Sequence, residues 1–152
     1  MPATQLTVRW GDMDSYGHVN NVLFVRYLED TRFAIFSPPL GELAPEGVPP
    51  WRSVFDLFPP ETNGLVASHR IEYRAPLNYR AEPVTSRLWV TRVGGSSVDL
   101  AYELGEADGS TVYAIAATTL VIVNTRTGRP EPLGDELRAV WSQWLADPPA
   151  FR

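Results

Sequence analysis

Between Asp12 and Asn21 the chain carries Asp12, Asp14, Ser15, Tyr16, His18, Asn20 and Asn21, its densest group of polar side chains. The group falls where an alternating run ends and a long segment free of Pro and Gly begins. A helix starting there presents unpaired N–H groups and about half a positive charge, which can stabilise an oxygen that gains negative charge. A carboxylate beside it can attack a carbonyl carbon or activate water. Together these are the two halves of an acyl-transfer site. The same residues also have an ordinary use. Asp12 and Asp14 suit a loop or a cap, His18 suits a turn, and either Asn20 or Asn21 suits a helix N-cap. Spacing alone leaves both uses open.

Other chemistry is harder to build. The chain has no cysteine, which removes disulfides, zinc–thiolate sites, iron–sulfur clusters and thiol nucleophiles. The only histidines, His18 and His69, belong to no ligand motif, so no metal site is expected. Glu29 reads as a solvated helix residue or the partner of Arg32 or Arg26. Trp51, Phe55 and Phe58 read as core or interface anchors. Arg70, Arg74, Arg87 and Arg92 are solvated strand positions that could also meet an anion.

The elements that must position this cluster follow from periodicity. Residues 5–12 alternate, with Leu6, Val8 and Trp10 opposite Thr7 and Arg9, as in a half-buried strand. From 19 to 36, Leu23, Phe24, Tyr27, Leu28 and Ile35 recur at helical spacing, which predicts one helix buried over most of its circumference. Residues 38–60 hold seven of the fourteen prolines and predict an irregular connection anchored by its aromatic residues. Strands are expected at 64–74, 82–93, 96–106 and 111–123. The Arg74–Tyr79 corner and the Gly94-Gly95 and Asp108-Gly109 turns separate them, so the sheet is antiparallel. The last strand is apolar on both faces, which places it centrally. Leu133, Leu137, Val140, Trp141 and Trp144 mark a short C-terminal helix.

The expectation is an α+β fold in one domain spanning 1–152, with a five-stranded antiparallel sheet wrapped around one long helix. Its sheet edges favour pairing between chains. At 152 residues with 44% hydrophobic and 11% aromatic content, the chain can bury one core without staples. Net charge is −5 and all thirteen basic residues are arginine, which disfavours nucleic acid and leaves phosphate contacts to Arg forks, hydroxyls and backbone. The opening MPATQLTVRW has no basic, apolar targeting pattern, and no stretch reaches a membrane span, so a cytoplasmic location is expected.

At Val8-Arg9-Trp10-Gly11-Asp12-Met13-Asp14-Ser15-Tyr16-Gly17-His18-Val19-Asn20-Asn21, followed by Tyr27-Leu28-Glu29-Asp30-Thr31-Arg32, the sequence resembles the hotdog-fold acyl-CoA thioesterases of the 4-hydroxybenzoyl-CoA thioesterase type. Ile71-Glu72-Tyr73-Arg74-Ala75-Pro76-Leu77, Arg92-Val93-Gly94-Gly95-Ser96-Ser97 and Val121-Ile122-Val123 resemble the family's later strands, so the likeness covers about residues 5–140. The resemblance implies hydrolysis of an acyl-CoA thioester. The catalytic aspartate corresponds to Asp14 and the carbonyl-polarising N–H to Asn21, with Asn20 beside it. It also implies a homodimer or homotetramer, CoA phosphates held by surface Arg and hydroxyl groups such as Arg92, Ser96 and Ser97, and no cofactor apart from the CoA of the substrate. A same-fold alternative is an enoyl-thioester hydratase or dehydratase using Asp14 and His18 as an acid/base pair. A third is a non-catalytic acyl-CoA-binding module.

Overall fold

Residues 62–124 alternate strand after strand, and in the computed structural model, which describes residues 1–152, they form four of five strands in one sheet. The strands are β1 (Ala3–Leu6), β2 (Thr62–Tyr73), β3 (Val84–Val93), β4 (Ser97–Gly105) and β5 (Val112–Asn124), in the spatial order β1-β3-β4-β5-β2. Every neighbouring pair is antiparallel. The helices are α1 (Asn21–Phe36) and α2 (Asp135–Gln143). No helix is long and apolar enough to cross a membrane.

Alternation along the sheet sends Leu88 and Val90 of β3, Val98, Leu100 and Tyr102 of β4, and Ala116, Leu120 and Ile122 of β5 into one core with Leu28 and Phe36 of α1 and Leu137, Val140 and Trp141 of α2. A second cluster, with Leu6, Val8, Val19, Phe24, Tyr27, Leu77, Val84 and Leu104, packs around the start of α1. The Thr31 hydroxyl of α1 is hydrogen-bonded to the Tyr27 carbonyl and to the Ser86 hydroxyl of β3, so a buried polar pair fixes the helix against the sheet. As its two-sided apolar pattern requires, β5 lies between β4 and β2.

The expected strand over 5–12 is shorter and earlier. Its pairing ends at Leu6 opposite Val84, where β3 begins just after Pro83, and the chain beyond bends into a 3-10 turn over Trp10–Asp12. Without a partner strand, alternation cannot be read out as ladder.

α1 is also less enclosed than its composition suggests. Its buried stripe is Phe24, Tyr27, Leu28, Thr31, Arg32 and Phe36, while Val22, Val25 and Phe33 are exposed on the other side. The sheet covers one face of this sixteen-residue helix and Phe55 packs on Phe33 near its C-terminal end, while Val22 and Val25 stay exposed.

The 38–60 connection contains 3-10 turns at Gly41–Leu43 and Phe55–Leu57. Its fully buried anchors are Leu40, Val48, Val54 and Leu57, with Phe55 and Phe58 packed at the core margin. Trp51, expected as an anchor, is exposed, standing on the turn that follows Pro49-Pro50.

The C-terminal segment straps the sheet. Trp144 and Ala146 pair with the backbone of Val90 where β1 no longer covers β3. Trp89 Nε1 then donates to the Asp147 carbonyl, and beyond it Arg74 donates to the Ala150 carbonyl while Arg70 stacks on Phe151. Trp89, Ala101, Ala117 and Arg70 form one cross-strand row, and the two alanines at its middle leave room for the strap.

The second cluster has a polar centre: Tyr27 donates to Asp12 Oδ2 at 2.6 Å, and both side chains are buried. Burial and that bond push the tyrosine hydroxyl pKa well above its usual range. A hydrogen bond to a charged group contributes about 1.5–3 kcal/mol. Tyr27→Phe should therefore lower unfolding stability by about that amount, measured as a lower urea midpoint with an unchanged m-value.

Candidate active site

The segment 12–21 is a small stitched hairpin, not a free loop. Asp14 N–H donates to the His18 carbonyl and Gly17 N–H to the Asp14 carbonyl, with Gly17 at φ +80°, a conformation that a side chain would strain. Asp14 Oδ1 accepts the Tyr16 N–H at 2.8 Å and the His18 N–H at 3.4 Å. One carboxylate oxygen of Asp14 thus holds the turn, and Oδ2 carries no protein hydrogen bond. Asp12 is instead buried and tied into the helix junction. Its Oδ2 accepts from Tyr27 and from the Arg9 N–H, and its carbonyl accepts the Asn20 N–H.

Asn20 is the N-cap of α1. Its Oδ1 accepts the Val22 N–H at 3.1 Å and its carbonyl accepts the Leu23 N–H at 2.9 Å. The Asn21 N–H, at the first helical position, donates to no protein acceptor, so the positive end of the helix is presented there.

The hairpin is sewn to the end of β2. Val19 N–H donates to the Leu77 carbonyl and His18 bridges to Asn78. Tyr73 donates from its hydroxyl to the Asn21 carbonyl at 2.9 Å and sets its ring edge-on against Phe24. Between these elements lies an open cavity of about 440 Å³, lined by Asp14, His18, Val19, Asn21 and Phe24 on one side and Tyr73–Leu77 on the other. Arg74 stands in its wall, held by Glu72 at 2.5 Å and by the strap's Ala150 carbonyl at 2.6 Å.

The structure therefore brings Asp14, His18 and Asn21 to one cavity, with Asn20 capping the helix beside it. The side chains of Asp14 and His18 are not hydrogen-bonded to each other. Arg92, Ser96 and Ser97 lie elsewhere. Arg92 pairs with Asp99 at 2.6 Å, and that carboxylate raises its pKa. Ser97 is paired with Val121, whereas the cavity borders Tyr73, paired with Ala114. Seven residues along β5 separate the two places by about 23 Å at ~3.3 Å per residue. Glu29 pairs with neither arginine named for it, since Arg26 pairs with Asp30. No three His, Cys, Asp or Glu side chains converge as a metal site. Tyr73 is a lining residue that spacing does not single out, and Arg74 is one of the four strand arginines expected to be solvated or to meet an anion. The Tyr73-Arg74-Ala75-Pro76-Leu77 corner was the sequence signal for Tyr73.

The N-terminus of α1 separates two substitutions. Asn21→Pro removes an N–H that nothing in the protein uses, at the first helical position that proline tolerates, and after Asn20 whose ψ of 134° suits a residue preceding proline. It should leave the melting temperature within a few degrees of wild type. Asn20→Ala removes the cap and should cost about 0.5–2 kcal/mol. Paired thermal melts check both.

A family model described as the thioesterase-like superfamily matches residues 8–141. Among solved structures, the chain is similar to a candidate thioesterase of Pseudomonas aeruginosa, with 32% identity and a TM-score of 0.72 over 90% of this chain and 95% of that one. It is also similar to a Thermus thermophilus thioesterase complexed with coenzyme A and zinc, with 25% identity and a TM-score of 0.64 over 91% and 95%. A DHNA-CoA thioesterase of Staphylococcus aureus, at 19% identity and a TM-score of 0.74 over 93% and 88%, shares the fold. No curated protein matches the sequence.

Proposed function

The chain belongs to the thioesterase-like superfamily, and from that premise we propose that it hydrolyses an acyl-CoA thioester to the free acid and CoA in the cavity between Asp14 and Asn21. One observation carries the reading: Asn21, whose backbone N–H at the helix N-terminus is unengaged, and Asp14, with one unengaged carboxylate oxygen, line the same cavity.

The thioester carbonyl oxygen sits against the Asn21 N–H, where the α1 dipole favours the negative charge that develops as the carbonyl carbon becomes tetrahedral. Asp14 Oδ2 supplies the other half. It either attacks that carbon, so that the C–S bond breaks and water then cleaves the acyl-aspartate, or it takes a proton from a water whose oxygen attacks directly. In both courses the sulfur leaves as thiolate. A thiol pKa near 8.5 makes that a tolerable leaving group, so no strong acid is required at the sulfur. This favours the hydrolase over the hydratase reading, which needs Asp14 and His18 to act as a coupled pair. His18 remains a wall of the cavity, within reach of the leaving group. Arg74, held by Glu72 at the cavity wall, is the arginine we propose meets the polar body of CoA, as Arg92 lies at the far end of the sheet from this cavity. The zinc named with the Thermus relative has no role in this scheme.

We also propose that the protein works as a homodimer or homotetramer. β2 is an unpaired sheet edge, and Leu65, Val66 and Tyr73 on it are exposed together with Val22, Val25 and Phe33 of α1. Light scattering should give a mass at least twice 16.9 kDa at micromolar concentration, and a monomer mass would remove this part of the proposal.

Thiol release measured over a panel of straight-chain and aromatic acyl-CoAs tests the reaction. Asp14→Asn should lose nearly all turnover while keeping the wild-type circular dichroism spectrum. Asn21→Pro should lose about 10²–10³-fold in kcat, the usual effect of removing one oxyanion donor. Asn21→Ala keeps the N–H and should stay within a few fold of wild type. Equal activity of the proline and alanine variants would show that the Asn21 N–H does not polarise the carbonyl.

A further inference from the structure

Five arginines form no ion pair: Arg9, Arg32, Arg70, Arg129 and Arg138. Only Arg32 among them is buried, at 7% exposure. Its Nη1 donates to the Tyr102 hydroxyl at 3.2 Å, and that hydroxyl is uncharged. Glu29 lines the same cavity as Arg32 without pairing to it, and His69 of β2 is near enough to feel the Arg32 charge. Burial and the Arg32 charge lower the His69 pKa, so this side supplies no anion either. A buried guanidinium without a counterion is expensive to keep, and such residues are rarely found buried unless paired.

Arg32 faces a cavity of about 260 Å³ that shares no residue with the Asp14 site. Phe36, Phe55 and Phe58 wall it on one side and Val66 and Leu120 on the other, with Glu29 among its lining residues on the exposed side of α1. Gly64 belongs to the design. A Cβ there would come within 3.2 Å of Phe58 Cε2, so the glycine lets that ring stand against the edge strand. The chamber is thus apolar over most of its wall, with one unpaired positive charge buried at its side.

We propose that this cavity binds the free carboxylate of an apolar acid, with the hydrocarbon among the phenylalanine rings and the carboxylate on the Arg32 guanidinium. The planar fork of arginine suits two parallel bonds to a carboxylate, and the dry surroundings strengthen them. Glu29 opposes the same ligand through its like charge, which gives the site a sign that can be tested. The inference stands on its own residues and does not depend on thioester hydrolysis, so its test reads binding and not turnover.

Isothermal titration of the full chain with octanoate, and with octanamide and 1-octanol as uncharged controls, decides it. Octanoate should bind saturably, at least tenfold more tightly than either control. Arg32→Gln should weaken octanoate at least tenfold, Arg32→Lys, which keeps the charge without the fork, should weaken it less than Arg32→Gln does, and Glu29→Gln should tighten it about two- to threefold. Because Arg32→Gln disturbs a buried contact, Val66→Trp provides a second arm. It fills the cavity from an exposed position on the edge strand also proposed for self-association, and should abolish octanoate binding while the circular dichroism spectrum and the light-scattering mass stay those of wild type. Absence of saturable octanoate binding overturns the proposal. So does octanamide binding as tightly as octanoate, or wild-type affinity in both Arg32→Gln and Val66→Trp.

Discussion

The position at which α1 begins rests on one carboxylate. Asp12 receives the Tyr27 hydroxyl from the second turn of the helix and the Arg9 N–H from the strand side, while its carbonyl takes the Asn20 N–H at the cap. Strand end, helix end and helix body therefore meet at a single buried group. Shifting the helix start by one residue would leave that carboxylate buried without partners, a change costing more than a cap is worth. With the start fixed, the first-turn donors divide in one way. Val22 and Leu23 are served by Asn20, and Asn21 is left over.

This constraint assigns different work to two carboxylates two residues apart. Asp12 is structural because its buried Oδ2 and its carbonyl are both spent on the junction. Asp14 lies on the far side of the same turn, where Gly17 at positive φ folds the chain back, so one oxygen closes the turn, the other is left unbonded, and the residue lines the cavity. A group holding its own loop with half of its oxygens is already oriented, and orientation is what a nucleophile or base needs most. Arg74 is held likewise, by Glu72 and by a carbonyl of the strap that reaches β2 from the opposite side of the sheet.

Strands β2 to β5 and both helices were legible in the sequence, since each carries its own alternation or helical spacing and is bounded by glycine, proline or Asp-Gly turns. β1 was misjudged in length because pairing stops where β3 stops, and that partner is some eighty residues away. The open face of α1 could not be read either, because an apolar pattern reports what is buried in the final assembly and not which chain does the covering. Asp14, His18 and Asn21 were visible because they are close in sequence. Tyr73 and Arg74 reach the cavity only through the β2–β5 pairing and the strap. Arg32 was hidden by a plausible local partner, Glu29, which the helix geometry leaves unpaired.

The proline-rich connection had no purpose assignable from composition, and the structure gives it one. Ser53 and Asp56 exchange backbone and side-chain hydrogen bonds, which hold the Asp56 carboxyl below its ordinary pKa, and Arg52 pairs with Glu136 of α2. These contacts, with seven prolines that restrict the unfolded chain, fix the turn carrying Phe55 and Phe58 against Phe36 and Trp141. The aromatic wall beside Arg32 is therefore built as rigidly as the core behind it. A wall of fixed rings around a fixed charge selects ligands by length and by the position of the carboxylate, whereas a mobile loop would accept any apolar body.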